Sequence, residues 1–203
     1  VVWQIPKLGT LNLHASLLPN YRGAAPINWV IINGESKTGV STFLINEAID
    51  TGALLLQKEI AIKADDTVGT LHDALLEIGA PLIVDTLIGL TERALIPKLQ
   101  QTKGDEREAP KLTSENTSLN WNDSLTALVN KVRGLSPYPG AWSLFMNKGE
   151  EGRIKIFKAS AVYEAHSNPL GQICIKQNEI LIATQEGYLN CKEIQLPNKK
   201  RMS

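Results

Sequence analysis

The sequence predicts an α/β fold in its first half and a small β-rich domain in its second, and three observations carry that expectation. Through residues 1–99, short runs rich in Val, Ile and Leu alternate with helical stretches, the pattern of a layered α/β domain. From residue 113 onward, one amphipathic stretch is followed by about five short strand-like runs, which suits a small β-barrel of the oligonucleotide-binding type. Between them, Gln100 to Pro110 is rich in charge, poor in apolar periodicity and closed by a proline, so residues 100–112 are expected to form a linker.

The elements follow in order. Leu11 to His14 reads as the end of a strand. Ala24 to Asn33 reads as a helix, with Pro26 tolerated in its first turn and Gly34 terminating it. Val40–Ile45 and Leu54–Ile62 read as strands. Asp66 is placed to cap a helix from Thr67 to about Ile78, and Gly79 and Pro81 are expected to interrupt it before a second helical stretch to about Glu92. Beyond the linker, Ser124–Arg133 reads as an amphipathic helix ending at Gly134. Ala141–Met146, Ile154–Val162, Gly171–Ile175, Ile180–Thr184 and Tyr188–Leu196 read as strands, with turns at Asn147-Lys148-Gly149 and Glu186-Gly187.

Composition bounds the class without naming the chemistry. The 203 residues are 43% hydrophobic and 21% charged, with 21 basic and 21 acidic side chains, as in an ordinary globular protein. Residues 1–112 hold 10 Lys and Arg against 13 Asp and Glu, whereas residues 113–203 hold 11 against 8, a mild positive bias compatible with an RNA-facing second half. No apolar run is expected to reach membrane-spanning length, and no secretory signal opens the chain. Two cysteines, Cys174 and Cys191, do not make a disulfide framework; both are expected to be small buried hydrophobes in a reducing compartment. The chain opens on Val1-Val2-Trp3 without a methionine and is expected to be a fragment.

The informative segment runs from Leu11 to Pro26. Asn12 and His14 are two apart on a strand, so their side chains project from the same face at its carboxyl end, where open α/β sheets bind ligands. An irregular loop follows, punctuated by Pro19 and Gly23, before a helix begins. Asp50, in Ile49-Asp50-Thr51-Gly52, follows the next strand and is placed to reach His14. Acyl transfer to an amine needs a donor for the oxyanion, which an Asn amide or an imidazolium supplies. It needs a group to take the amine's proton, which His supplies, and a carboxylate that orients the His. The same residue types also fit a loop-anchoring Asn, a structurally satisfied His and a turn Asp.

As a string, Asn12-Leu13-His14-Ala15-Ser16-Leu17-Leu18-Pro19, followed by Asp50-Thr51-Gly52, closely resembles the formyltransferases that use 10-formyltetrahydrofolate. The match continues through Tyr21-Arg22-Gly23-Ala24-Ala25-Pro26-Ile27 and Gly39-Val40-Ser41. Three features resemble the methionyl-tRNA branch: Ile49-Asp50-Thr51-Gly52, the run from Arg133 to Trp142, and the closing run from Leu196 to Ser203. The resemblance implies the C-terminal part of a Rossmann-like formyltransferase domain, then a tRNA-binding barrel domain at 113–203. It implies Asn12, His14 and Asp50 as catalytic residues, and Ser16, Leu17, Leu18 and Pro19 as the folate-binding segment. The implied partners are 10-formyltetrahydrofolate and initiator methionyl-tRNA, in a cytoplasmic monomer without metal or membrane. Lys199, Lys200 and Arg201 form the candidate tRNA cluster within a wider set of Lys131, Arg133, Lys148, Arg153, Lys155 and Lys158. The family's domain begins about a hundred residues earlier, so the fragment alone is expected to be inactive. The competing readings are a sugar-nucleotide N-formyltransferase and a non-catalytic RNA-binding module.

His72 and His166 are expected to be structural, and no His or Cys spacing suggests a metal site. Trp29, Trp121 and Trp142 are expected to pack, with base stacking by Trp121 as the alternative.

Overall fold

Strand β1 (Leu11–His14) pairs antiparallel with β3 (Lys37–Leu44), and β3 pairs antiparallel with β4 (Leu54–Ala61). The computed structural model describes residues 2–147 and 149–203, which fall into two units. The first comprises residues 2–30, 35–64 and 70–111; the second comprises 31–34, 65–69 and 112–203.

In the first unit the sheet order is β1-β3-β4. Both ladders of this three-stranded sheet are antiparallel, which apolar periodicity cannot reveal because it carries no strand direction. Helix α1 (Pro26–Ile32) connects β1 to β3 and begins at the proline itself, whose fixed φ suits a first turn. Gly34 follows at φ +70°, the left-handed geometry that ends a helix. β3 is buried along most of its length, consistent with its continuous Val, Thr and Phe run.

Helix α2 (Val68–Thr91) corrects the expectation of a break, because Gly79 and Pro81 both lie inside one continuous helix. Pro81 removes a backbone donor and costs about 3 kcal/mol in a helix interior. Packing on both sides of it overrides that cost. Leu71, Leu75, Gly79, Leu82 and Thr86 form one buried stripe at helical spacing. Gly79 is required by proximity, since a Cβ there would lie 2.9 Å from Leu13 Cδ2. Thr86 Oγ1 donates to Leu82 O at 2.6 Å and meets Thr42 Oγ1 on β3 at 2.9 Å. As one piece, α2 is long and apolar enough to cross a membrane by length and composition, which corrects the reading that nothing approaches that length.

Residues 100–111 are held in place rather than loose. Strand β2 (Arg22–Gly23) pairs in parallel with β5 (Glu108–Ala109). Ala25 N–H donates to Ala109 O at 3.2 Å, Arg107 N–H to Asn20 Oδ1 at 3.2 Å, and Trp29 Nε1 to Pro110 O at 2.7 Å. Gly23 sits at φ +123°, and a Cβ there would lie 2.5 Å from Ala109 O. Polar composition hid this strap, because its hydrogen bonds run to residues far away in the chain.

In the second unit, helix α4 (Leu125–Gly134) is capped by Ser124, whose hydroxyl accepts from Ala127 N–H at 3.2 Å. It buries Leu125, Leu128 and Val132 against Ile154, Ile156 and Leu189. Each fully buried aliphatic side chain contributes about 1.5–3 kcal/mol. A short helix, α3 (Ser114–Thr117), opens with a reciprocal Thr113–Asn116 capping box. The five expected strands are β6 (Ala141–Asn147), β7 (Glu150–Val162), β8 (Ile173–Lys176), β9 (Glu179–Thr184) and β10 (Gly187–Gln195). They form one antiparallel sheet in the order β6-β7-β10-β9-β8.

The expected closed barrel is not found. Among the described residues no ladder joins β6 to β8, and a cavity of about 650 Å³ touches both edge strands beside Trp121. Strand count and turn positions were readable in sequence, but closure depends on strand curvature, which hydropathy does not encode.

Cys191 is buried, and burial pushes its thiol up to about 12, whereas Cys174 is half-buried. In the folded protein at pH 8, a thiol reagent is therefore expected to modify Cys174 first, with Cys191 reacting only on unfolding. Equal rates at both would contradict this packing. Gly23→Ala is expected to lift the strap and lower the melting temperature, by about 2–4 °C per kcal/mol lost. An unchanged melting curve would contradict the close approach.

Candidate active site

The site is built where β1 ends. Its pairing places Asn12 opposite Phe43 and His14 opposite Ser41. Asn12 is exposed and His14 is 7% exposed. Among the described residues the Asn12 amide meets no hydrogen-bond partner, so a free donor stands two residues before a buried imidazole.

The loop after β1 is fixed by Ser41, a residue that sequence reading did not single out. Its hydroxyl donates to Ser16 O at 2.6 Å and accepts from Leu18 N–H at 3.0 Å and Gln57 Nε2 at 2.7 Å. One donor and two lone pairs are thereby used in full. Gln57 also donates to Leu18 O at 3.0 Å, and Ser16 Oγ donates to Asn20 O at 2.6 Å. Ser16 and Leu18 are buried, whereas Leu17 and Pro19 are half-buried. Gly39 on β3 makes room for the loop, since a Cβ there would lie 2.7 Å from Leu17 Cδ2. Ser16 and Leu18 therefore brace the loop from inside, while Leu17 and Pro19 are partly open.

Asp50 arrives from the turn between β3 and β4. Its backbone adopts φ +54°, a left-handed conformation that Asp tolerates better than most residues. Two residues later a side chain is impossible, because a Cβ on Gly52 would lie 1.6 Å from Leu44 O. This is the physical content of the Asp-x-Gly spacing. Asp50 Oδ2 accepts from Gly23 N–H at 2.9 Å and lies 3.5 Å from His14 Nδ1. His14 Nε2 lies 2.7 Å from the Tyr21 carbonyl oxygen. Both ring nitrogens thus face acceptors. A ring N–H on Nε2 can donate to the Tyr21 carbonyl, and the Asp50 carboxylate stands on the Nδ1 side of the ring.

Beyond this pair, Tyr21 Oη donates to Glu35 Oε1 at 2.5 Å, and Arg107 Nη1 donates to the same oxygen at 3.2 Å. The Gln100 amide contacts Arg22, Asp50 and Gly52. Neither Gln100 nor Arg107 was accessible to motif reading, because both lie in the polar stretch that composition assigns to a linker.

The candidate RNA cluster in the second unit is uneven. Lys199 and Lys200 are exposed. Arg201 stacks 3.5 Å from the Phe157 ring centroid and donates from Nη2 to Pro137 O at 2.6 Å. Arg153 lies 3.5 Å from the Trp142 ring centroid and donates to Ser114 Oγ at 2.8 Å. Lys155 Nζ donates to Pro139 O at 3.0 Å. Arg133, lowered from its usual range by burial and opposed by Asp66, donates to Asp66 O and Asn130 Oδ1. Lys148 lies outside the described residues. Trp121 packs against Gly171 and donates to Ser143 Oγ at 3.2 Å. His72 is exposed beside Asp73, and His166 Nε2 lies 2.9 Å from Gly187 O. Among the described residues no three His, Cys, Asp or Glu side chains gather as a metal site.

Comparison with known proteins bears on this geometry. Residues 1–87 match the formyl transferase family, and residues 111–203 match the formyl transferase C-terminal domain. A methionyl-tRNA formyltransferase of Flavobacterium johnsoniae is 50% identical over 202 residues, covering 100% of this chain and 64% of that protein. The chain spans 64% of the length of several such curated relatives. Among solved structures, HypX from Aquifex aeolicus in complex with tetrahydrofolic acid superposes with a TM-score of 0.70 at 21% identity, over 95% of this chain and 33% of its own. An N-formyltransferase from Helicobacter canadensis, complexed with folinic acid and dTDP-3-aminofucose, gives a TM-score of 0.68 at 20% identity, over 89% of this chain and 64% of its own. At those identities the superpositions speak to the fold alone. With the Asn-x-His and Asp-x-Gly segments meeting at one site and a family match to each end of the chain, this protein belongs to the formyl transferase family.

Proposed function

We propose that the protein carrying this chain transfers a formyl group from 10-formyltetrahydrofolate to the amino group of methionyl-tRNA. The observation that carries the chemistry is the 3.5 Å approach of Asp50 to His14, with the exposed Asn12 amide on the same strand face. The 50% identity to a methionyl-tRNA formyltransferase favours tRNA over an amino-sugar nucleotide as acceptor. The sugar N-formyltransferases among the superposed structures stand at 20%, 26% and 28%.

In this reading the methionyl amine attacks the formyl carbon, and the carbonyl oxygen becomes an oxyanion. The Asn12 amide donates to it, since it is the group at the site with a free N–H. The bond from the formyl carbon to N10 of the folate then breaks. The amine loses one proton and N10 gains one. His14 is the titratable ring next to Asn12, and Asp50 compensates its positive charge. For His14 to carry that proton, one ring nitrogen must leave its present acceptor, and Nε2 on the Tyr21 carbonyl is the one not paired with a carboxylate. Leu17 and Pro19, partly open on the loop, are the members of the Ser16–Pro19 segment available to touch folate. The chemistry invokes no metal.

We also propose the finer architecture of a Rossmann-like catalytic domain, the strapped 100–111 segment and an oligonucleotide-binding-type domain; the five antiparallel strands and capped helix of the second unit support the last of these. Among the described residues, Lys199 and Lys200 are exposed basic side chains at its end whose ammonium groups meet no partner, and we assign them to tRNA phosphate. A cytoplasmic monomer is the accompanying expectation.

In a protein of the relatives' full length, Asn12→Ala, His14→Ala and Asp50→Ala are each expected to lower turnover by roughly 10² to 10³ with 10-formyltetrahydrofolate and methionyl-tRNA. Undiminished turnover in all three would remove the site assignment, and activity only toward an amino-sugar nucleotide would replace the acceptor. Binding of tRNA is expected to weaken steeply with salt, and the double change Lys199→Ala, Lys200→Ala to flatten that slope by about two phosphate contacts. An identical slope would contradict the phosphate assignment.

A further inference from the structure

Gln100 occupies the stretch that composition marks as a linker, yet its side-chain amide is saturated. Oε1 accepts from Arg22 Nε at 3.1 Å and Arg22 Nη2 at 2.6 Å, while Nε2 donates to Asp50 O at 2.8 Å and Gly52 O at 2.9 Å. The amide's orientation is dictated by its neighbours, because a guanidinium only donates and a backbone carbonyl only accepts. Its neighbour Gln101 is exposed.

The groups that Gln100 ties together are those that hold Asp50. The two carbonyls belong to the turn in which Asp50 sits at φ +54°. Arg22 precedes Gly23, whose N–H donates to the Asp50 carboxylate. One amide therefore clamps the backbone that aims the carboxylate and the segment that anchors it.

We infer that Gln100 is a positioning residue for the transfer reaction: by bridging Arg22 to the Asp50–Gly52 turn, it fixes the Asp50 carboxylate beside His14 Nδ1. The inference rests on the reading of Asp50 and His14 as the reacting pair. The four hydrogen bonds of Gln100 go to Arg22, Asp50 and Gly52 rather than to His14 or Asn12, and it acts through Asp50. Without it, the turn loses two donors and the Arg22 guanidinium loses its acceptor. A displacement of the carboxylate by about 1 Å is enough to cost roughly 10²-fold in rate.

The test uses a protein of the relatives' full length, assayed with 10-formyltetrahydrofolate and methionyl-tRNA. Gln100→Met keeps the length and apolar bulk of the side chain and removes all four hydrogen bonds. It is expected to lower kcat by roughly 10- to 100-fold with KM for both substrates little changed. Added to Asp50→Ala, it is expected to cost nothing further, because its effect passes through the group already removed. Full kcat in Gln100→Met, or losses that multiply in the double variant, would overturn the inference. If Gln100→Met does not fold, Gln100→Glu serves: it keeps an acceptor for Arg22 and turns a carboxylate toward the two carbonyls. Unchanged kcat in Gln100→Glu would overturn the inference equally. Undiminished activity in Asp50→Ala alone would instead remove the underlying reading of the pair, which separates the two failures.

Discussion

The first unit is organised around one carboxylate. Asp50 reaches His14 because the chain makes a left-handed turn at Asp50, passes so close to Leu44 that position 52 must be glycine, and meets the Gly23 N–H on the other side. Each requirement is local, but together they bring the β3–β4 turn against the loop that follows β1. The loop depends in turn on Ser41, whose single hydroxyl ties Ser16, Leu18 and Gln57 together from within β3. The 100–111 strap closes the arrangement from outside through β5 and Gln100. A residue free to hydrogen-bond substrate, Asn12, is left standing beside the engaged side chains of Ser41, Asp50 and Gln100.

Much of this was legible in sequence because it is local. Alternation along Leu11–His14 placed Asn12 and His14 on one face, and Gly34 marked the end of α1 through its φ. The distance between the two motifs allowed Asp50 to return to His14 across a strand, loop and helix. What was not legible depends on contacts between residues far apart in the chain. Pro81 signals a break that the buried stripe from Leu71 to Thr86 overrides. Gln100 and Arg107 look like linker residues until the strap that carries them is seen against Tyr21 and Arg22. Ser41 is one of several small polar residues on β3, and nothing in its neighbours announces that it satisfies three partners.

The second unit shows the same division. Its helix and five strands follow from amphipathic spacing and turn residues, as read, while Ser124 caps the helix instead of opening it. Closure does not follow, and the sheet leaves the edges of β6 and β8 beside one cavity instead of pairing them. Counting basic residues also misleads about charge. Arg153 and Arg201 lie over Trp142 and Phe157, and Arg133 serves Asp66 and Asn130, so a run of Lys and Arg in sequence separates into structural guanidiniums and free ammonium groups. Arginine's planar fork suits it to such packing, whereas lysine at an exposed end keeps its charge available.

The central claim is that Asn12, His14 and Asp50 surround the transferred carbon. Its most direct test is a crystal structure of a protein of the relatives' full length with a stable 10-formyltetrahydrofolate analogue bound. The account predicts the analogue's carbonyl oxygen within hydrogen-bond distance of the Asn12 amide, about 3 Å. It also predicts His14 adjacent and the Asp50 carboxylate still on the Gly23 N–H. A complex in which the formyl-bearing end lies away from Asn12 and His14, with their side chains turned from it, would contradict the account.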